Sequence, residues 1–263
     1  MNYQILKKIE AFSENYKSLL SSETLAFKEA GSWDRIRQDW WFALLFFFDR
    51  AFYQGRSDIL SGRFERATVE ALAGSLIGST SDEKLSSLIQ YQHWLQRERW
   101  KDPDNPLWSA LCQKYEIGER KRSGTGRERD REMVLDTLQF IVNNCEGYNI
   151  LEYSVQSIKN GNIEELSKKL HNIISIGNKI TSFYLRDTVF VYELDNYLKP
   201  EDYHYVMPID TWVRQISNKI GVEADAKAMA TACQQNGVSP IKFNQGAWYI
   251  GSHSLSVLLD TWT

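Results

Sequence analysis

Two residues in the carboxy-terminal half of the chain, Lys179 and Asp210, combine reactive side chains with positions where helices should begin. An amphipathic stretch with Leu166, Leu170, Ile173 and Ile174 on one side runs into S-I-G (residues 175–177), and a new helical pattern starts at once with Asn178 and Lys179. Two helices joined by so short a glycine-containing turn form a tight hairpin. Backbone N–H groups at the start of its second helix lie at the positive end of the helix dipole, and Gly177 lets another backbone come close. Such a turn is a phosphate site, to which Ser175, Ile176, Gly177, Asn178 and Thr181 would contribute.

The second element, M-P-I-D-T-W-V-R (residues 207–214), puts Asp210 at a helix N-cap, where its carboxylate accepts from the amide of Trp212 or Val213. A capping carboxylate is rigid and ionised, which suits it to face a developing cation. A lysine at the positive end of a helix, partly desolvated, is pushed toward the neutral amine, a nucleophile. The helix that Lys179 opens runs roughly 16 residues, about 24 Å. Residues 195–209, if extended, reach roughly 45–50 Å, enough to return the chain beside Lys179. Simpler roles stay open: Asp210 as a cap alone, Lys179 as a first-turn contact to phosphate. Trp212, Phe183, Trp248 and Tyr249 either line a base pocket or fill the core, and Arg186 with Asp187 reads as an internal ion pair.

What must position these residues is a largely helical chain. Its 263 residues are 43% hydrophobic and 25% charged, enough to bury a substantial core. Nine Trp, thirteen Tyr and twelve Phe supply core volume or base-stacking surface. Five Pro and 15 Gly punctuate segments that read with helical rather than alternating period. One continuous buried helix is expected over residues 35–56, a second from Ser57 and Asp58, and a third over residues 81–100. Residues 118–132, charged and without apolar side chains, read as a solvated loop. That loop divides the chain into residues 1–117 and 133–263.

The net charge of −3 does not announce a polyanion partner, so any phosphate binding must be local. Three cysteines lie far apart without a CxxC, which argues against a disulfide framework, a zinc finger or a four-cysteine cluster. His171, His204 and His253 are isolated; no metal or cofactor is expected. The amino terminus lacks a signal-peptide core. The longest apolar run, W-W-F-A-L-L-F-F-F, falls well short of the ~20 residues that span a bilayer, so a cytoplasmic protein is expected.

The motifs S-I-G-N-K and P-I-D-T-W-V-R-Q-I-S-N-K-I-G together resemble the helix-hairpin-helix (HhH-GPD) superfamily of DNA base-excision glycosylases. In that family the hairpin reads roughly L-P-G-V-G-x-K and the aspartate element P-V-D-x-x-V. Lys179 falls where bifunctional members of the endonuclease III and 8-oxoguanine types keep their Schiff-base lysine, and Asp210 falls on the family's aspartate. The separation of 31 positions is closer to the archaeal 8-oxoguanine glycosylase type. The resemblance covers residues 162–251, about a third of the chain. Departures are Ser175 where the family prefers glycine, and no Leu-Pro lead-in.

The resemblance implies an all-α fold of two helical subdomains with the active-site cleft between them. It implies a monomer acting on a flipped base in DNA, with Lys179 and Asp210 catalytic. The segment around Gln54 sits where such enzymes carry a minor-groove wedge, and Trp212 and Trp248 are candidates for the base pocket. The implied activity is N-glycosidic cleavage with β-lyase chemistry on a modified base. Alternatives are a non-catalytic nucleic-acid-binding protein, or an N-glycosidase acting on a free nucleotide or an RNA base.

Overall fold

The computed structural model describes residues 3–53, 58–116 and 125–258 of the chain. Among these residues every regular element is helical, so the all-α expectation holds. The α-helices of the first half are α1 (Tyr3–Ala11), α2 (Ser13–Glu23), α3 (Leu25–Ala30), α4 (Trp33–Gln38), α5 (Trp40–Ala51), α6 (Asp58–Ser75), α7 (Ser81–Gln90) and α8 (Pro106–Glu116). Those of the second half are α9 (Thr125–Asn144), α10 (Ile150–Lys159), α11 (Ile163–His171), α12 (Asn178–Val191), α13 (Thr211–Ile220), α14 (Ala226–Gln235) and α15 (Pro240–Leu258). No described helix is long and apolar enough to cross a membrane.

The helices sort into two compact units, and neither is continuous in sequence. The first comprises residues 1–28, 154–168 and 177–263; the second comprises residues 29–153 and 169–176. This division differs from a cut at the charged segment. There, residues 125–132 are helical, as the start of α9. Lys101 bridges Glu128 and Glu132 at 2.5 and 3.0 Å, and the Arg131 guanidinium lies 4.8 Å from the Trp108 ring centroid. Charges that looked solvated in sequence instead find partners one helical turn apart. Residues 118–124 and Gln54 lie outside the described residues.

In the first unit, Leu6 and Ile9 of α1 pack with Met207, Val213, Ile216, Met229, Phe243 and Ile250. Two glycines on α15 set how close its neighbours come. A Cβ at Gly246 would lie 1.8 Å from the Ile9 carbonyl oxygen, and one at Gly251 would lie 2.5 Å from the Trp212 Cβ. At these two positions a side chain and the packing exclude each other.

In the second unit, α5 is buried along its whole length. The single long helix expected over residues 35–56 is interrupted at Asp39, whose backbone is extended. The reason is a cap. Asp39 accepts from the Trp41 amide at 2.9 Å and from the Ser81 hydroxyl at 2.7 Å, an N-cap and a brace to α7 at once. The expected third helix also stops early, at Gln90, and short 3₁₀ turns follow. Asn105 captures the carbonyls of Trp94, Arg99 and Trp100 at 3.2, 3.3 and 3.1 Å, drawing them out of helical pairing.

This unit also buries a pair of acids. Asp49 and Glu65 are 4% and 5% exposed. Burial, then the charge of Asp49 and a hydrogen bond to it, hold the Glu65 carboxyl well above its usual range, against weaker opposition from Arg50 and Arg66. The fully buried Ser61 hydroxyl and Glu65 Oε1 have no hydrogen-bond partner among the described residues.

Candidate functional site

Lys179 and Asp210 both belong to the first unit. Lys179 is the second residue of α12 and is half-buried. The helix has no side-chain cap: Gly177 occupies the N-cap with φ −90° and ψ 180°, and its carbonyl accepts from the Thr181 amide at 3.0 Å. A Cβ at Gly177 would meet nothing within 4 Å. Neither backbone angle nor packing within the protein requires glycine at this helix start.

Asp210 is the N-cap of α13, and its Oδ1 accepts from the Val213 amide at 2.8 Å. The opposite end of α13 closes on Gly221, at φ +72°. What brings the chain back to α12 is a 3₁₀ segment, Pro200–Val206, that packs along that helix. A chain of buried hydrogen bonds continues the link. Arg186 donates to Asn244 Oδ1 at 2.8 Å, and Asn244 donates to the Pro208 carbonyl at 3.0 Å. Pro208 is two residues ahead of Asp210. Arg186 is seven residues beyond Lys179, about 10 Å along the helix axis.

Arg186 and Asp187 form the internal ion pair expected of them, and both are fully buried. Arg186 Nε donates to Asp187 Oδ1 at 2.9 Å, and Tyr16 donates its hydroxyl proton to Asp187 Oδ2 at 2.9 Å. The Tyr16 oxygen in turn accepts from Arg186 Nη2. The guanidinium lies 4.6 Å from the Tyr16 ring centroid and 4.7 Å from that of Phe183. Reading the sequence did not find Tyr16 or Asn244. The one available signal was the polar pair Asn244-Gln245 between Phe243 and the apolar run Ala247–Ile250. Gln245 is also fully buried, and neither of its amide atoms has a hydrogen-bond partner among the described residues.

The remaining hairpin residues divide by unit. Ser175 and Ile176 belong to the second, where Ile176 donates to the Ile173 carbonyl at 3.0 Å. Ser175 adopts φ +64°, a left-handed backbone that favours glycine. Asp136 of α9 accepts from the Ile174 amide at 2.8 Å and fixes the turn. Asn178 is exposed. Thr181 is only 1% exposed and its hydroxyl has no partner among the described residues, so it offers nothing at the surface; burial likewise limits Ile176 to its backbone.

Of the aromatic candidates, Trp212 is 37% exposed and lies two residues past Asp210. Trp248 is half-buried and edge-on to Tyr16 at 5.5 Å. Tyr249 stacks on His253 at 4.4 Å. No group of three or more metal-binding side chains occurs among the described residues. Burial pushes the thiols of Cys145 and Cys233 up to about 12, so neither supplies a thiolate nucleophile.

Compared with known proteins, the chain matches no family, no curated protein and no solved structure.

Proposed function

We propose that the protein is a DNA base-excision glycosylase with lyase activity, resembling the HhH-GPD superfamily, in which Lys179 is the nucleophile and Asp210 the supporting carboxylate. The observation that carries the reading is the start of α12. A lysine stands two residues after an uncapped glycine around which an added Cβ would meet nothing within 4 Å. Two further points support it. Asp210 is held rigid by the Val213 amide within the same unit, and Ser175 keeps the left-handed backbone of a residue the family writes as glycine.

The chemistry follows from those groups. The Lys179 amine attacks C1′ of a flipped nucleotide as the bond from C1′ to the base breaks. Asp210 stabilises the positive charge that develops on the sugar. The base leaves, taking a proton. The bound sugar opens to an imine between C1′ and Nζ, and β-elimination then breaks the 3′ C–O bond of the strand.

Borohydride trapping tests this on abasic DNA. A covalent protein–DNA adduct with the natural chain, absent with Lys179→Gln, is the expected outcome. An adduct that survives Lys179→Gln overturns the assignment of the nucleophile. Oligonucleotide binding with no adduct on any substrate reduces the protein to a non-catalytic binder.

A further inference from the structure

The second unit carries a groove whose lining the Lys179 and Asp210 reading leaves unexplained. Two adjoining cavities of about 170 and 100 Å³ share Gln139 and Asn143 of α9. Gln92 and Gln96 border one, and Asn144 and Asn172 the other. Side-chain carboxamides therefore arrive from three separate stretches of chain. Asn144 is committed to the Phe140 carbonyl at 3.1 Å. Gln92, Gln96, Gln139, Asn143 and Asn172 make no side-chain hydrogen bond among the described residues. Phe140 and Ile173, both buried, add apolar lining.

Two cations border the same cavity, and both are held in place. Arg97 forms a two-pronged pair with Asp136, at 2.8 and 3.3 Å, while keeping more than half its side chain exposed. Lys169 donates to the Tyr153 hydroxyl at 3.1 Å. Asp136 faces this cavity too, but its charge is answered by Arg97 and by the Ile174 amide. The groove is thus built ahead of any ligand: the carboxylate that sets the cation also fixes the wall at residues 172–174.

We propose that this groove binds a nucleoside phosphate, with the carboxamides on the base edge and Arg97 and Lys169 toward the phosphate. A carboxamide presents a donor beside an acceptor, the pattern that base edges match in pairs. Arginine and lysine supply the charge-assisted contacts that phosphate takes. An uncharged sugar would leave the cations idle, and a bare phosphate would leave the carboxamides idle. Each cavity is smaller than the roughly 300–1,000 Å³ typical of small-ligand sites, which limits the enclosed part of the ligand to one planar base and leaves its phosphate at the open edge. The ligand is either a free mononucleotide or an unpaired nucleotide of a strand.

The test uses the full chain carrying Lys179→Gln, so that failure of the glycosylase reading does not alter the result. It is titrated by calorimetry with the four 5′-nucleoside monophosphates and with a single-stranded oligonucleotide. At least one probe binds, and Gln139→Met with Asn143→Leu, which keep size and remove hydrogen bonds, weakens it at least tenfold. Asn172→Leu, from another wall, weakens the same probe. Lys169→Met lowers affinity for a monophosphate more than for its nucleoside. Mononucleotide binding identifies the free nucleotide as the source; binding of the oligonucleotide alone identifies the strand. No binding of either probe at millimolar concentration, or equal binding by folded groove variants, overturns the proposal.

Discussion

The two units bury charge in opposite ways. In the first, Arg186 and Asp187 form a closed network: the cation meets the carboxylate, Tyr16 bonds to both, and Asn244 Oδ1 accepts a further hydrogen bond from the guanidinium. In the second, Asp49 and Glu65 face each other as like groups, which with burial raises the Glu65 carboxyl pKa, and among the described residues an oxygen of Glu65 and the Ser61 hydroxyl go unbonded. A satisfied network resists dissection because each removal strands a partner. A buried pair of like groups costs stability while intact, and its cost depends on pH.

The largest effect is expected from breaking the closed network. Arg186→Met leaves the fully buried Asp187 without its cation and should cost about 3–5 kcal/mol, read as a lowered urea midpoint. Adding Asp187→Leu should recover part of the loss, since no buried charge then remains. A single variant that unfolds like the natural chain would erase the contrast between the units.

Next comes the packing of α15. Gly246→Ala drives a methyl group into the Ile9 carbonyl and should destabilise the first unit by about 1–3 kcal/mol in the same measurement.

Glu65→Gln sharpens the comparison from the other side. Because folding raises the carboxyl's pKa, the folded chain holds a proton that the unfolded chain releases above its ordinary carboxylate range. Stability therefore falls as pH rises from that range toward the raised value, by about 1.4 kcal/mol per unit at most from this one group. A neutral carboxamide keeps the Asp49 hydrogen bond and should flatten that decline. A variant with the natural pH profile would remove Glu65 as its cause.

The smallest effect is a gain. Gly74 sits exposed inside α6, where an added Cβ meets nothing within 4 Å, so Gly74→Ala should stabilise by roughly 0.5–1 kcal/mol. The same substitution at Gly74 and Gly246 thus changes sign with the space around the backbone.

Much of the first unit could be read from local pattern. The starts of α12 and α13, the capping role of Asp210, the left-handed end at Gly221 and the Arg186–Asp187 pair are all signals within a few residues. Residues brought in from afar could not be read that way. Tyr16 lies 170 positions from Arg186, and nothing near it in sequence marks a hydroxyl shared by two buried charges. Asp136 looks like one charge among many in α9 until the fold sets it under the Ile174 amide, 38 residues away. The charged stretch misled for a related reason: composition reports solubility, whereas the partners of Glu128, Arg131 and Glu132 are Lys101 and Trp108, from an earlier segment.

The discontinuity of the units bears on how the chain is made. Glu10 accepts from the Ser239 amide across 229 residues, and Ile9 lies against Gly246. During synthesis α1 therefore leaves the ribosome long before the surface it needs exists, with Leu6 and Ile9 awaiting α15. The second unit, whose main stretch is residues 29–153, can gather earlier. Vectorial synthesis thus favours an order in which the inserted unit folds first and the enclosing one closes last. Until then its opening helices expose the apolar side chains that the later helices cover.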